Sequence, residues 1–160
     1  MDYIWTPWRY RYIAEAGKYV GCIFCDAPAA NQDAETLIVL RGVKNFVILN
    51  RYPYTSGHVM IVPYAHTADF GRLDSETTTE MMQLAQRMQA ALEATYHPQG
   101  YNLGMNLGRS AGAGIADHLH MHLLPRWTGD TNFMTSIAET RLEPEDLAVT
   151  YTRLRRALEA

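Results

Sequence analysis

Three of the six histidines in this chain of 160 residues alternate along one short run, as His118, His120 and His122. Residues i, i+2 and i+4 of a β-strand lie on one face. The spacing therefore predicts three imidazoles in a row, about 6.6 Å apart at ~3.3 Å per residue, with the intervening apolar residues facing a core. Imidazole serves as nucleophile, proton carrier or metal ligand near neutral pH. The strip indicates a catalytic site, a metal site or a pH-sensitive patch, and the pattern alone leaves all three open.

A glycine-rich loop, residues 108–114, precedes the histidine strip. Glycine allows backbone N–H groups to approach an anion closely, and Arg109 and Ser110 add side-chain donors. By itself the loop also fits an ordinary tight turn, but beside three histidines it predicts a phosphate pocket. The central imidazole, His120, is then the candidate nucleophile that displaces a leaving group at phosphorus. His122 is placed to orient and assist it.

Two cysteines stand at the spacing Cys22-x-x-Cys25. This spacing is typical of tetrahedral zinc sites, but it also fits a redox pair or two buried thiols. A zinc site needs two more ligands, and the candidates are His58, His66, His97, His118 and His122. His97 precedes Pro98 at a predicted helix end, which favours a surface position.

The composition predicts one ordinary globular domain over residues 1–160. Its 48% apolar and 19% charged residues fit that class. A formal net charge of −3 argues against electrostatic binding to nucleic acid or to anionic membranes. No apolar run is long enough to span a membrane, and the N-terminus lacks a signal pattern. We therefore expect a cytoplasmic protein, in which the cysteines are thiols or metal ligands and not a disulfide.

The periodicity predicts an α+β domain built on an antiparallel sheet. Predicted strands cover 37–40, 46–49, 58–62 and 101–107 in addition to the histidine strip, and 21–28 is predicted as a turn-like segment followed by a loop at 29–35. A long helix begins near Asp74 or Ser75 and ends before Pro98 and Gly100. A second helix covers 145–159 within a C-terminal extension, residues 140–160, and residues 1–20 form an aromatic N-terminal segment that packs on the domain or meets a partner.

The run His118-Leu119-His120-Met121-His122-Leu123-Leu124 resembles the motif of the histidine triad superfamily of nucleotide-binding hydrolases and transferases. The segment from Asn50 to Pro63 is similar to that family's nucleoside-binding loop and strand, and the likeness extends over about residues 20–134. The resemblance implies a histidine triad fold, with a five-stranded antiparallel sheet in a protein that usually pairs as a homodimer.

The same resemblance implies nucleotidyl transfer at the α-phosphorus of a nucleotide ester, anhydride or phosphoramidate. His120 would form the nucleotidyl intermediate, and His122 would assist it and contact phosphate. Asn50 would hold the ribose, and Ile48 and Leu49 would help form the base pocket. The remaining substrate contacts would come from His58, Asn106, Gly108, Arg109, Ser110, Gly112 and Gly114.

Zinc-binding branches of the superfamily use a CxxC pair, a histidine after the nucleoside strand and the first triad histidine. The matching residues here are Cys22, Cys25, His66 and His118, which imply a closed, structural Cys₂His₂ zinc site. His118 would thus belong both to the triad and to the metal site.

One position departs from the pattern of many superfamily hydrolases, which carry a glutamine where this chain has Gly114. The segments 5–9, 108–112 and 125–133 resemble instead a bacterial branch similar to diadenosine tetraphosphate phosphorylases. The leading hypothesis is an enzyme that cleaves dinucleoside polyphosphates or related anhydrides, with phosphate as the implied acceptor in that branch. A phosphoramidate or nucleotide hydrolase, a nucleotide-binding sensor or adaptor, and a purely structural zinc protein are the alternatives.

Overall fold

The computed structural model describes residues 21–130 and 145–159. The strands are β1 (Ile38–Arg41), β2 (Asn45–Leu49), β3 (Val59–Pro63), β4 (Gly100–Met105) and β5 (Met121–Arg126). The α-helices are α1 (Ile23–Ala29), α2 (Asp33–Thr36), α3 (Ser75–Tyr96) and α4 (Leu147–Glu159), with short 3₁₀ turns at Phe70–Arg72 and Arg109–Ala111. The aromatic segment predicted at the N-terminus lies outside the described residues.

The five strands form one antiparallel sheet in the order β1-β2-β3-β5-β4. This confirms the predicted α+β class and the five-stranded sheet that the resemblance implied. In the pairing of β3 with β5, Met60 lies opposite His122. The sheet register therefore brings the histidine strip beside the strand that follows the predicted nucleoside-binding loop. Strand β4 lies at the free edge of the described sheet.

Alternation along the strands gives the sheet two apolar faces. The first face packs under α3 and α4, and its buried cluster includes Val47, Leu49, Val59, Ile61, Leu119, Met121, Leu123, Met81, Leu84, Met88, Leu92 and Leu154. The second face packs against α1, and its buried cluster contains Phe24, Ile38, Phe46, Ile48, Met60 and Val62. The apolar stripe predicted on the long helix is thus core, as are the residues between the histidines.

The long helix α3 has the ends that the sequence predicts. The Asp74 carboxylate accepts the Thr77 backbone N–H at 2.6 Å as an N-cap. The helix stops at His97, which adopts a left-handed conformation with φ of 47° just before Pro98. His97 is exposed, as expected. No helix of the described residues is both long and apolar enough to cross a membrane.

Glu80 of α3 ties that helix to the β1–β2 hairpin. Its carboxylate accepts the backbone N–H groups of Val43, Lys44 and Asn45 at 2.7, 2.7 and 2.8 Å, and the Asn45 side-chain amide at 2.9 Å. Burial alone would raise the pKa of Glu80, but these hydrogen bonds outweigh it and lower the pKa. The contact fixes β2, which leads into Asn50, against the helix behind the sheet.

Two predictions about local structure are wrong, and the start of one predicted strand is shifted. Residues 23–29, predicted as part of a turn-like segment, form helix α1, and the predicted loop that follows contains the short helix α2. Helix α1 has no side-chain N-cap bond at Cys22 and carries Pro28 internally, so its local helix signals are weak. Tertiary packing of Phe24 overrides them. The regular part of the histidine strand also begins later than expected, at Met121.

Candidate active site and metal cluster

Four metal-ligating side chains meet at the start of α1. The Cys22 thiol lies 3.2 Å from His118 Nδ1, and the Cys25 thiol lies 3.4 Å from His66 Nδ1 and 3.6 Å from His118 Nδ1. The two histidine nitrogens are 3.2 Å apart, and all four ligand atoms lie within 4.8 Å of one another. These are the four residues that the resemblance implied for zinc.

The cluster has the dimensions of a tetrahedral zinc site. With Zn–N bonds of about 2.0–2.1 Å and Zn–S bonds of about 2.3 Å, the ligand atoms of a tetrahedron are roughly 3.3–3.8 Å apart. The separations above are close to that range. Burial, together with the neighbouring Cys22, raises the pKa of the Cys25 thiol. A divalent cation between the thiols would remove that penalty, since it stabilises both thiolates. The donor set therefore fits zinc.

Backbone contacts orient His118 toward this cluster. Its Nε2–H donates to the Pro63 carbonyl at 2.9 Å, which leaves the lone pair of Nδ1 facing the thiols. The Leu119 N–H donates to the Thr67 carbonyl at 2.7 Å, so the segment that carries His66 runs beside the start of the histidine strip. With both ring nitrogens committed, His118 has no nitrogen left for substrate. These contacts favour the metal-binding role of His118, and its expected role as a catalytic side chain stays a prediction.

His120 has one ring nitrogen fixed and one available. Its Nδ1–H donates to the main-chain carbonyl of His118 at 2.9 Å, because a carbonyl can only accept. Neutral His120 then holds its lone pair on Nε2. The side chain is buried, and burial lowers its pKa, partly offset by the bond to the His118 carbonyl. A neutral imidazole with a free Nε2 lone pair is the form required of a nucleophile.

His122 belongs to a hydrogen-bond chain whose direction can be deduced. The Tyr54 backbone N–H donates to His58 Nδ1 at 3.2 Å, so neutral His58 carries its proton on Nε2. That Nε2 lies 2.9 Å from His122 Nδ1, which must accept. Neutral His122 consequently carries its proton on Nε2, its remaining ring nitrogen. Burial and the nearby His120 lower the pKa of His122 to about 4. The arrangement leaves His122 as a hydrogen-bond donor through Nε2–H.

Asn50 joins the same chain. Its Oδ1 accepts the Tyr52 backbone N–H at 2.9 Å, and its Nδ2 lies 3.4 Å from His58 Nδ1. Ile48 belongs to the cluster that also contains Phe24, on the histidine side of the sheet. Leu49 belongs to the opposite cluster under α3 and is 1% exposed. The side chain of Leu49 therefore lies in the core, which corrects its expected place in a base-pocket wall.

The glycine-rich loop forms a tight turn at the end of β4. Gly108 and Gly112 have φ values of 83° and 89°, which favour glycine, and the Gly112 N–H donates to the Arg109 carbonyl at 2.9 Å. The side-chain amide of Asn106 lies 3.5 Å from the Gly112 carbonyl. Within the described chain, the backbone N–H groups of residues 114–118 have no hydrogen-bond acceptor. Residues 114–117 are not buried, so an anion could reach their N–H groups, whereas His118 is buried.

A cleft of about 930 Å³ connects this loop with the metal cluster. Its walls include Arg109 and Gly114 from the loop, and Cys22 and His66 from the cluster. The structure thus brings the predicted phosphate loop and the predicted metal ligands to one cleft. Ser110 lies in the exposed 3₁₀ turn next to Arg109.

Two aromatic residues of the site were missed by the sequence reasoning. The Phe24 ring packs 5.0 Å from the His120 ring, and the Tyr54 ring packs 5.0 Å from His58 and 6.4 Å from His122. A usable signal for Phe24 was its position between the two cysteines, because any metal that fixes both cysteines also fixes the residue between them. Tyr54 offered no comparable signal.

Comparisons with known proteins give a consistent picture. The HIT domain family model matches residues 31–129. The AP-4-A phosphorylase of Mycobacterium tuberculosis (strain ATCC 25618 / H37Rv) is 37% identical over 150 residues, covering 89% of this chain and 76% of that protein. The adenosine 5'-monophosphoramidase hnt1 of Schizosaccharomyces pombe is 26% identical over 133 residues, covering 80% of this chain and 91% of that protein.

Among solved structures, a Zn-bound histidine triad family protein from Mycobacterium smegmatis superposes with a TM-score of 0.71. It is 28% identical in sequence, and the match covers 87% of this chain and 94% of that one. The similarity therefore includes the overall fold and extends beyond the histidine motif.

Proposed function

The chain belongs to the HIT family of nucleotide-processing proteins, and from that premise we propose that it cleaves dinucleoside polyphosphates through a nucleotidyl-His120 intermediate. One observation carries the proposal. The His120 Nδ1–H donates to a carbonyl, which leaves the lone pair on Nε2 free to attack. The Nδ1 atoms of the flanking residues, His118 and His122, already have other partners.

In the first half-reaction, the His120 Nε2 lone pair attacks the α-phosphorus of the substrate. A P–N bond forms, and the P–O bond to the departing polyphosphate breaks. The polyphosphate departs as its anion, and the His122 Nε2–H donates a hydrogen bond to the leaving oxygen, while His58 Nε2–H keeps His122 Nδ1 as an acceptor. Nucleophile and hydrogen-bond donor are adjacent, with ring centroids 4.9 Å apart.

In the second half-reaction, an acceptor oxygen attacks the same phosphorus and the P–N bond breaks. The acceptor attacks through an unprotonated oxygen, and the electron pair of the broken P–N bond returns to Nε2, which restores neutral His120. We infer that the acceptor is inorganic phosphate, so that the product is a nucleoside diphosphate. The similarity to an AP-4-A phosphorylase supports this choice. The glycine at position 114, where many hydrolases of the superfamily carry glutamine, is a second argument for it.

Substrate contacts follow from the same surface. Asn50 Oδ1 has a second lone pair for a ribose hydroxyl, and Ile48 offers an apolar contact for the base. The phosphates would lie against the open N–H groups of the glycine loop and its cationic side chain. The loop residues concerned are Asn106, Gly108, Arg109, Ser110, Gly112 and Gly114.

We further propose that Cys22, Cys25, His66 and His118 hold one structural zinc ion. The match of the ligand separations to a tetrahedral site supports it. With four protein ligands the ion has no open position, so its contribution is to hold these residues together and not to act on substrate.

The test is an incubation of the purified protein with diadenosine tetraphosphate, with and without inorganic phosphate. A nucleoside diphosphate that forms only with phosphate supports phosphorolysis, whereas a monophosphate formed without it supports hydrolysis. The variant His120→Ala should lose turnover by about 10³-fold or more and keep its nucleotide affinity. Undiminished turnover in this variant would exclude His120 as the nucleophile.

A second candidate activity is hydrolysis of a nucleoside phosphoramidate, which the similarity to an adenosine 5'-monophosphoramidase favours. The same imidazole pair would serve it, since only the leaving atom changes from oxygen to nitrogen. To distinguish the two candidate activities, kcat/KM is measured for diadenosine tetraphosphate and for adenosine 5'-monophosphoramidate, and the first value is divided by the second. A ratio below one would favour the phosphoramidase.

We infer that the partner is a second copy of this chain, paired along β4. Strand β4 has one unpaired edge in the described sheet, and Leu103 and Leu107 are 47% and 49% exposed beside it. Sedimentation of the wild type and of Leu103→Lys tests this pairing. A dimer that becomes a monomer in the variant supports the pairing, and a monomeric wild type contradicts it.

A further inference from the structure

A phenylalanine stands between the two cysteines of the metal cluster, and its ring contacts the nucleophile. Phe24 is fully buried. Its ring meets the His118 ring edge-on with centroids 5.4 Å apart, and the His120 ring at 5.0 Å and an interplanar angle of 48°. Among the described residues, the rings packed against His120 are those of Phe24 and His122. One face of the candidate nucleophile is therefore determined by Phe24.

Helix α1, which carries Phe24, has little to hold it in place by itself. It is seven residues long, and its N-cap residue Cys22 makes no side-chain cap bond. Helices of this length are not stable alone in water. Two sets of contacts hold it. Phe24 packs into the apolar cluster, and the thiols of Cys22 and Cys25 meet His118 and His66.

We propose that Phe24 is a positioning residue for His120, held against the imidazole by the metal cluster that flanks it. The inference rests on the proposed role of His120 as nucleophile. Phe24 would restrict rotation of the His120 ring about the bond that directs Nε2, and it would keep water from one face of that ring. The bond from Nδ1 to the His118 carbonyl fixes one edge of the ring, and Phe24 fixes its plane.

A second buried phenylalanine provides a matched control. Phe46 is also 0% exposed and belongs to the same apolar cluster, but its ring neighbour is Tyr64 at 5.3 Å. Phe46→Leu and Phe24→Leu remove similar apolar volume from one cluster. Only Phe24→Leu removes an aromatic contact with His120.

The experiment measures how fast diethyl pyrocarbonate modifies His120, mapped by mass spectrometry on the zinc-loaded chain without substrate. Phe24→Leu should speed modification of His120 by roughly 2- to 10-fold, the equivalent of one aromatic pair contact. Phe46→Leu should leave the rate unchanged. The variant should also lose kcat by a similar factor with little change in KM, because the contact orients the nucleophile and does not bind substrate.

The role of the metal is tested by a thermodynamic-style cycle that compares the wild type and Phe24→Leu, each with and without zinc. Stripping zinc from the wild type, with the fold checked by circular dichroism, should speed His120 modification as Phe24→Leu does. Stripping the variant should add little, since both changes release the same contact. Independent, multiplicative effects would overturn the coupling, and equal modification in Phe24→Leu and Phe46→Leu would overturn the positioning role.

Two further outcomes are informative. If Phe24→Leu loses zinc, the stripped wild type still provides the same readout, and an unchanged rate of His120 modification there overturns the proposal. A protein that shows the expected modification pattern but cleaves no nucleotide contradicts the proposed function and supports the contact itself. The labelling needs no substrate, so the two failures are distinguishable.

Discussion

The two ends of the histidine strip differ in what engages their imidazoles. At one end, His118 places Nδ1 among two thiols and His66, and Nε2 on the Pro63 carbonyl. At the other end, His122 Nδ1 accepts a hydrogen bond from His58 Nε2–H, and His122 keeps its own Nε2–H. Both flank His120 at a spacing of two residues, so the spacing itself does not separate their roles. The environment places one among metal-ligating groups and leaves the other as a hydrogen-bond donor.

This difference implies that damage at the two ends should have different readouts. In the proposed mechanism the His122 end touches the reacting groups, so its loss should reduce kcat and leave the fold unchanged. The His118 end anchors α1 to the sheet, so its loss should reduce stability first. Activity should follow only through the placement of Phe24 and His120.

The largest effect is expected for His122→Ala, which removes the hydrogen-bond donor to the leaving oxygen. Loss of one such donor costs about 10²- to 10³-fold in rate, and kcat should fall by that factor while zinc content stays at the wild-type value. Steady-state kinetics and metal analysis check the two quantities. His97→Asn, at an exposed helix end with positive φ that asparagine tolerates, is the matched histidine control. If kcat of His122→Ala equals that of the control, His122 does not stabilise the leaving oxygen.

Removal of the metal should act mainly on stability. A ligand at about 100 times its Kd stabilises the fold by about 2.7 kcal/mol, and 1 kcal/mol shifts the Tm of a chain of this size by about 2–4 °C. Chelation, or Cys22→Ser, should therefore lower the Tm by roughly 5–10 °C. Calorimetry with and without added zinc measures the change. A Tm that is independent of zinc would contradict a structural metal site.

The sequence predicted the two ends of the strip unequally well. Regular elements such as β2, β3 and α3 follow from periodicity and caps that lie within each segment, so their positions were close. Helix α1 was missed because its stability comes from Phe24 and from the cysteines, which meet residues more than 40 positions away. The metal ligands were anticipated through family resemblance and not from spacing alone.

The hydrogen-bond chain from Tyr54 through His58 to His122, at the other end, could not be predicted in full. The contact of His58 with His122 depends on the register that sets Met60 opposite His122. The direction of the proton depends on the backbone N–H of Tyr54 in the preceding loop. Neither register nor loop conformation is encoded in the alternation of histidines. For the same reason the pattern could not separate His118 from His122.

Acid should destabilise the fold in part through His122, since burial also lowers the pKa of His118 and of His120. The pKa of His122 is lowered from 6.5 to about 4 by burial and by His120, and His58 and Tyr54 are the other groups that face it. Because the folded state resists protonation, the unfolded chain binds more protons between these two values. Stability is therefore fully present above pH 6.5 and declines toward pH 4, by on the order of 3 kcal/mol. Denaturant unfolding of the wild type and of His122→Asn measures this decline, which should be shallower in the variant. Equal slopes would place the titrating group elsewhere.

The smallest effect is expected for a residue that stabilises the fold without contacting either end of the histidine strip. Glu80 accepts three backbone N–H groups and one amide from the β1–β2 turn, so Glu80→Gln should destabilise the protein by about 1.5–3 kcal/mol without changing zinc content or kcat. Glu76 lies one turn earlier and makes an exposed ion pair with Lys44 at 3.3 Å, so Glu76→Gln should cost about 0–1 kcal/mol. Urea unfolding of the two variants compares a carboxylate held by backbone donors with one in solvent. A change in kcat for Glu80→Gln would mean that the β1–β2 hairpin influences the positions of Asn50 and His58. The His122 end of the strip would then depend on helix α3, as the His118 end depends on α1.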